Sequence, residues 1–287
     1  MDEYIDLCQK IISKTIPKVD YVDIRAGKSN STSLIMKDGN IDEINTGNQL
    51  GVRIRVLNNG AWGFAYTNDF SKLEEIAETS IKLSNSLKGE VELAESEVIQ
   101  DKVATPVKIP VSDVSIEEKK EVLYEANKAA DFGEVSSITV NYSDSEIDSL
   151  FLNSEGSIIE QKKTTTSMSL NSAASNGDMI QFGHGSIGGV KGFEVIENED
   201  IEKFGREISE KAIRLLSAKP APSGQFPIIA DNLLTGVFIH EALGHAVEGD
   251  LILQNDSILK GKIGEKIASD IVNIFDDASL KDGFGYY

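Results

Sequence analysis

The sequence predicts an α+β fold: two N-terminal blocks of antiparallel strands flanked by helices, then the start of a mostly β C-terminal domain that carries a histidine-bearing helix. Three observations support this fold. Apolar residues recur at helical spacing in separate segments, short alternating runs are joined by Asn, Asp and Gly, and a Pro- and Gly-rich break occupies residues 219–224. The predicted domain ranges are therefore 1–90, 115–218 and 225–287.

Helices are predicted where apolar residues recur with a period near 3.6 and a capping residue precedes them. Pro17 ends the first helix, Asp69 or Ser71 caps the second, and Ser115 with Glu118 forms a capping box for the third. The fourth helix begins near Asp200. The predicted helical segments of the first two blocks are Tyr4–Ile12, Leu73–Leu83, Ile116–Ala130 and Ile201–Leu216.

Strands are predicted where β-branched and aromatic residues form short runs between turns. Residues 37–40 and 58–60 predict hairpin turns, because Asn, Asp and Gly tolerate positive φ. Residues 85–113 contain two prolines and are predicted to be a linker. The predicted strands are Tyr21–Arg25, Ser33–Met36, Ile41–Ile44, Val52–Val56, Trp62–Tyr66, Ser137–Tyr142, Thr164–Ser172, Asp178–Phe182 and Val190–Val195.

The two blocks share one order of elements: helix, several strands, helix. Their hairpins are also similar, since Leu34–Glu43 and Leu150–Glu160 align with one extra residue in the second copy. Two explanations remain open at this point, an internal duplication and two independent α+β units of similar layout.

The third region is predicted to alternate strand and helix. Phe226–Ala230 and Ile271–Phe275 read as short strands. A helix is predicted from Leu233 to about Glu248, with Asp231 or Asn232 as its N-cap. This helix carries two of the chain's three histidines.

Composition restricts the class of partner. The formal net charge is −19 over 287 residues, which argues against nucleic acid or an anionic membrane as the main partner. Acidity that serves only solubility is the simpler alternative. The single cysteine, Cys8, lies on an apolar helix stripe and predicts a small buried side chain in a reducing, cytoplasmic setting. No apolar run approaches the length of a membrane helix, and no signal peptide is evident.

The segment His240-Glu241-Ala242-Leu243-Gly244-His245 contains the residue types of a metal site. Two imidazoles can bind a metal ion, and the carboxylate can take a proton from a metal-bound water. Residues five apart differ by about 140° on a regular α-helix, so the imidazoles would not share a face. A π-bulge or early helix end at Gly244 would bring them together. Otherwise they are two unrelated histidines on a buried helix.

The segment Gly183-His184-Gly185-Ser186-Ile187-Gly188 satisfies the glycine pattern of a dinucleotide-binding turn. That turn must follow a strand and open a helix, whereas Val190–Val195 reads as a strand. We therefore expect a tightly turned or flexible loop. His184 is a less favoured candidate for a third metal ligand.

The stretch from His240 through Glu248 to Asp250 resembles the signature of the TldD/PmbA family of metallopeptidases, on its TldD side. Gly51-Val52-Arg53 and the strand around Trp62 resemble the family's first domain. Residues 115–216 resemble its second domain, and Gly261–Asp277 resembles the stretch after the signature. The PmbA-like members lack the histidines, so this resemblance places the chain on the catalytic side.

The resemblance implies a zinc peptidase that acts on small or unfolded peptides. It implies zinc held by His240 and His245, with Glu241 as the general base, and a distant cysteine as third ligand. Glu248 and Asp250 are candidates to orient a ligand imidazole, or are surface carboxylates. The resemblance also implies a dimer, with a second copy or a motif-lacking homologue.

Family members are longer than this chain, which is expected to be truncated before the cysteine. Because Cys8 is in the wrong place to substitute, we expect residues 1–287 alone to be inactive or nearly so. The alternative function is a non-catalytic peptide-binding or assembly module.

Overall fold

The computed structural model describes residues 1–277 and Leu280, and it confirms the α+β class. Contacts divide the described chain into two units, residues 1–218 and residues 219–277. In the first unit the strands are β1 (Tyr21–Lys37), β2 (Asn40–Asn58), β3 (Ala61–Thr67), β4 (Gln100–Ala104), β5 (Val135–Asn153), β6 (Ile158–Ser175) and β7 (Ile180–Gly189). Its helices are α1 (Ile5–Thr15), α2 (Leu73–Ser86), α3 (Ile116–Ala130), α4 (Glu194–Glu197) and α5 (Ile201–Leu215).

All seven strands belong to one sheet. Its order is β3-β2-β1-β5-β6-β4, and β7 also pairs with β6. The central pair, β1 and β5, is antiparallel from Asp23 opposite Asn153 to Lys37 opposite Thr139. Strands β1-β2-β3 and β5-β6-β7 thus extend outward in the same order from this centre, so the two predicted blocks share a sheet. Their predicted boundaries remain predictions.

The strands are longer than the sequence predicts. Tyr21–Arg25 and Ser33–Met36 were expected to be separate, but both belong to β1; β2 and β5 likewise run through polar segments expected to interrupt them. The polar residues 27–33 stay in the strand because β2 and β5 pair with them on both sides. Backbone pairing here outweighs weak strand propensity.

The predicted linker at 85–113 contains a strand, which corrects that prediction. Strand β4 pairs in parallel with β6, from Gln100 opposite Ile158 to Ala104 opposite Lys162. Because β4 has only five residues and lies at an edge, neither length nor burial marks it in the sequence.

The glycine-rich segment is strand β7, and the predicted loop is wrong. A Cβ on Gly183 would lie 2.1 Å from the Ile208 carbonyl oxygen, and one on Gly185 would lie 2.6 Å from the Ile208 side chain. The glycines therefore let α5 pack closely on the strand. The predicted strand Val190–Val195 is also wrong, since a bend there leads into α4.

The predicted helix caps are confirmed in this unit. Ser115 and Glu118 form the reciprocal capping box of α3. Asp200 accepts a hydrogen bond from the Lys203 N–H at the start of α5. Asp69 accepts one from the Ser71 N–H, in the short 3₁₀ turn that precedes α2.

Two hydrophobic cores lie along the sheet, and each takes residues from both halves. The core around Ile54 and Leu73 includes Leu150 and Leu152 of β5. The core around Leu123 and Leu170 includes Leu34 and Met36 of β1. Strands β1 and β5 thus each contribute to both cores, which joins the two halves into one packed unit.

The second core contains a buried ion pair. Lys119 Nζ lies 2.7 Å from Asp144 Oδ2, and both side chains are 4% exposed. Lys119 also donates to the Val111 carbonyl at 3.0 Å, and the Tyr142 hydroxyl donates to Asp144 at 2.7 Å. Burial, with the Asp144 carboxylate beside it, raises the pKa of Tyr142 above its ordinary value. The two buried charges are therefore paired with each other, and each also has a further hydrogen-bond partner.

The second unit contains two helices, α6 (Asn232–Ile239) and α7 (Gly249–Gln254). The strands predicted at Phe226–Ala230 and Ile271–Phe275 are not formed. A strand needs a paired edge to satisfy its backbone groups, and no other described segment pairs with either. Within residues 1–277 and at Leu280, no helix is long and apolar enough to cross a membrane.

Removing one partner of the buried ion pair should destabilise the chain. Lys119→Met leaves the Asp144 charge without its cation, and we expect a loss of about 3 kcal/mol in the free energy of unfolding, measured by urea denaturation. Lys119→Met combined with Asp144→Leu should cost less than Lys119→Met alone, because no unpaired charge remains. If Lys119→Met alone were as stable as the parent, the stabilising role of the ion pair would be contradicted.

Glu194 provides a pH-dependent test. Its buried carboxylate accepts from the backbone N–H groups of Ile109, Lys108 and Gly192 at 3.0–3.3 Å. Burial raises the pKa of Glu194, but these hydrogen bonds bring it below the ordinary 4.5. A lowered pKa stabilises the fold above the unfolded-state value, and this contribution is lost as pH falls through the folded value. Glu194→Gln should therefore cost about 1 kcal/mol at pH 7, and the difference should shrink below pH 4.5.

Equilibrium unfolding of both proteins between pH 3 and 7 measures this difference. Glu197→Gln, an exposed substitution in the same helix, is the matched control. A difference for Glu194→Gln that stayed constant over this range would contradict the assignment.

Candidate metal centre

The helix that carries the histidines begins as predicted. Asp231 accepts a hydrogen bond from the Leu234 N–H at 2.8 Å, so Asp231, rather than Asn232, is the N-cap of α6. The α-helical hydrogen bonding ends at Ile239. A π-helical turn, His240–Gly244, follows, and a short 3₁₀ turn, His245–Val247, completes the segment.

The π-turn brings the two imidazoles together. The His245 N–H donates to the His240 carbonyl, an i→i+5 hydrogen bond that links the two histidines directly. Their ring centroids lie 4.5 Å apart. One ligand atom from each of His240, Glu241 and His245 lies within 4.8 Å of the others. The distortion thus removes the 140° separation expected for a regular helix.

Two carboxylates flank His245. Glu248 Oε1 lies 2.8 Å from His245 Nδ1, and Glu241 Oε2 lies 3.8 Å from His245 Nε2. An Nδ1–H that donates to Glu248 leaves the Nε2 lone pair available to a cation. Asp250 is exposed in the first turn of α7. Of the two carboxylates predicted to orient an imidazole, Glu248 therefore makes the contact.

Gly244 has an ordinary helical backbone in the π-turn. Its φ and ψ are −51° and −54°, and a Cβ would meet nothing closer than His240 Nδ1 at 3.6 Å. This distance is normal van der Waals contact. The π-turn therefore does not require a glycine for steric reasons, and the predicted role of Gly244 in the distortion remains a prediction.

Ser257 is a residue that the sequence patterns do not indicate. Its hydroxyl donates to the Ala246 carbonyl and accepts from the Leu259 N–H. It thereby fastens the segment after α7 to the end of the histidine motif. A lone serine in a polar segment carries no sequence signal for such a contact.

The first unit contains one less favoured candidate ligand, His184, and the chain's single cysteine, Cys8. His184 Nδ1 is 2.9 Å from the Asn171 amide oxygen across the β6–β7 pair, so it has a local partner. Cys8 is buried in α1, and burial raises the pKa of its thiol to about 11, which disfavours the thiolate that a metal needs. The described residues contain one group of three potential ligands, the one at His240.

The donor chemistry of this group fits zinc. Imidazole nitrogens and carboxylate oxygens are its usual ligands, and two ligand atoms on tetrahedral zinc lie about 3.4 Å apart. The spacing of up to 4.8 Å therefore requires small side-chain rotations, which exposed side chains can make. Two imidazoles beside carboxylates on one distorted helix are a donor set of the kind that metal-dependent hydrolases use.

Comparison with known families agrees with this class. Models of the PmbA/TldA metallopeptidase domain 1, central domain and C-terminal domain match residues 22–84, 109–216 and 223–287 in order. These ranges cover most of the chain. The chain belongs to the TldD/PmbA family of metallopeptidases.

Similar proteins carry the corresponding names. A metalloprotease of Methanothermobacter thermautotrophicus is 52% identical over 98% of this chain and 62% of its own length. A metalloprotease of Methanocaldococcus jannaschii is 40% identical over 96% of this chain and 62% of its own length. The chain thus spans less than two thirds of the length of both relatives.

Solved structures support the fold. A crystal structure of a Thermotoga maritima protein matches with a TM-score of 0.72 at 22% identity, over 92% of this chain and 59% of that one. TldE from Thermococcus kodakarensis matches with a TM-score of 0.68 at 16% identity, over 88% and 58%.

The geometry at Gly244 gives a direct test. Gly244→Ala should fold and keep the π-turn, because the added methyl group meets only ordinary contacts. A crystal structure of the variant should show the two imidazole centroids still about 4.5 Å apart. A regular α-helix across residues 240–245 in the variant would show instead that glycine permits the distortion.

Proposed function

We propose that the His240–Glu248 segment is the zinc-binding part of a peptidase site. The observation that carries this proposal is the π-turn, which brings His240, Glu241 and His245 within 4.8 Å on an exposed face. Membership of the family and the names of the relatives support the same reaction class. The proposal assigns zinc as the cofactor.

The side chains of this segment divide the work between metal binding and proton transfer. His240 and His245 hold the zinc ion, and Glu248 accepts from His245 Nδ1 and thereby fixes the orientation of that ring. Bound zinc supplies Lewis acidity and lowers the pKa of water. Glu241 takes a proton from the attacking water and delivers it to the leaving amine nitrogen, as a general base and then a general acid.

The number of ligands governs affinity. A catalytic zinc site normally uses three protein ligands and water, and this proposal assigns two imidazoles from the described residues. The family resemblance implies a third ligand, a cysteine that does not lie among these residues. Residues 1–287 alone should therefore bind zinc weakly.

The proposed substrates are small or unfolded peptides, and the proposed assembly is a dimer with a second copy or a motif-lacking homologue. Both follow from the resemblance. Net charge favours basic or neutral peptides over acidic ones, because the chain carries −19. A non-catalytic peptide-binding module is the competing function, and metal content separates the two.

Zinc binding to purified residues 1–287, measured by titration calorimetry, should show one weak site per chain. His240→Ala should weaken binding at least about tenfold, because it removes one of two imidazole ligands. Glu241→Gln should keep most of the affinity, since a base is not required to hold the ion. His184→Ala is the matched control, because His184 lies in β7, and should bind like the parent.

Activity provides the second readout. Residues 1–287 should show little hydrolysis of unstructured peptides. Hydrolysis that a chelator stops and that Glu241→Gln abolishes would contradict the need for a third ligand. A complete lack of zinc binding would instead favour the non-catalytic module.

A further inference from the structure

The outer edge of β2 is half open. Strand β3 pairs with β2 only from Val52 to Asn58, on the side away from β1. Among the described residues, none pairs with the remaining edge, 40–51, although β1 pairs with this stretch on the inner side. Side chains at 42–50 are exposed on both faces. An exposed strand edge of this length offers backbone N–H and C=O groups to another extended chain.

The corresponding edge in the other half of the sheet is occupied. Strand β6 takes the place of β2 there, and β7 takes the place of β3, pairing with β6 from Thr166 to Ser175. The first part of β6, which corresponds to the open part of β2, pairs with β4. Hydrogen bonds from Ile158 to Ile99 and from Thr105 to Lys162 extend this contact to seven residues, 99–105. The chain thus fills one of two equivalent edges with its own extended segment.

The occupied edge also contains a charge contact. Lys102 lies directly opposite Glu160, and Lys102 Nζ is 3.1 Å from Glu160 Oε2. The hairpin alignment places Ile41-Asp42-Glu43 beside Ile158-Ile159-Glu160, so Glu43 corresponds to Glu160. The Glu43 carboxylate accepts from the Asn45 side chain at 2.7 Å and has no ion-pair partner among the described side chains. Glu43 is therefore an acidic side chain without a cationic partner, at the position on β2 that corresponds to Glu160 on β6.

We propose that the open edge of β2, residues 40–47, binds an extended peptide that contains a Lys or Arg, as an added parallel strand with this cationic side chain opposite Glu43. Backbone hydrogen bonds provide affinity that does not depend on sequence, and the charge contact sets the register. This site is a docking edge of the first unit. It needs neither zinc nor Glu241, so it stands apart from the proposed function.

A peptide fits this edge better than a second copy does. Two copies that met edge to edge through β2 about a two-fold axis would pair antiparallel. The segment that fills the equivalent edge is parallel to its partner strand and carries a lysine. A net charge of −19 on each chain also favours a neutral or basic peptide over a second acidic chain.

The test uses the chain's own segment as the probe. A capped peptide with the sequence of residues 99–105, Ile-Gln-Asp-Lys-Val-Ala-Thr, is titrated into residues 1–287 in the presence of a chelator. We expect saturable binding. The same peptide, N-methylated at the alternate residues that include Thr105, should show no saturable binding at concentrations that saturate the unmodified peptide, because it lacks the N–H donors that face the partner strand.

Charge reversal locates the site. Glu43→Lys should weaken binding at least about threefold, and a peptide with Glu in place of its lysine should recover affinity for that variant. Glu160→Lys is the matched control. If Glu160→Lys weakens binding and Glu43→Lys does not, the peptide exchanges with β4 and the proposal is wrong.

Two further outcomes would also overturn it. One is that the parent chain, shown to be folded by circular dichroism, does not bind the peptide. Alternatively, sedimentation could show self-association that Glu43→Lys abolishes, without peptide binding, in which case the edge joins two copies.

Discussion

The antiparallel pairing of β1 with β5 is the constraint on which the rest of the first unit depends. It joins the two β-hairpins at the centre of the sheet and aligns them over fifteen residues of each strand. The first pair is Asp23 opposite Asn153, and the last is Lys37 opposite Thr139. Because both strands continue past the midpoint, each hydrophobic core receives side chains from the opposite half. The helices then cover the two ends of the sheet, where these apolar side chains lie. The buried ion pair of Lys119 and Asp144 lies within one of these cores.

Much of this fold follows from local sequence signals. Helical periodicity, the capping box at Ser115 and the hairpin turns identify their elements because each depends on residues a few positions apart. The continuous strands do not follow from local signals, because the polar run at 27–33 is held in β1 by pairing with β2 and β5, and most of these partners are distant in sequence. Strand β4 forms because β6 offers it an edge to pair with, whereas the segments near Phe226 and Ile271 pair with no other described segment.

The candidate metal centre shows the same division between local and distant information. Its residue types and the need for a distorted helix are readable from His240, Gly244 and His245. The form of the distortion is an i→i+5 hydrogen bond between the histidines. This form depends on the backbone path and cannot be read from the residue types. Among the described residues, the hydrogen bond, ion pair and ring contact of these side chains all join residues within 240–248. The arrangement of the donors is therefore set by local backbone geometry, whereas the strength of metal binding depends on how many ligands reach it.

The β1–β5 pairing also has a kinetic consequence. Its contacts join residues 102 positions apart, from 37 to 139, up to 130 positions apart, from 23 to 153. Closing such long loops costs entropy before the contacts form, so a sheet of this topology has a high contact order and folds slowly. Neither hairpin completes its own core before the other has been synthesised. During translation the first hairpin therefore exposes apolar surface until β5 emerges, and this interval is when the chain is most prone to aggregate.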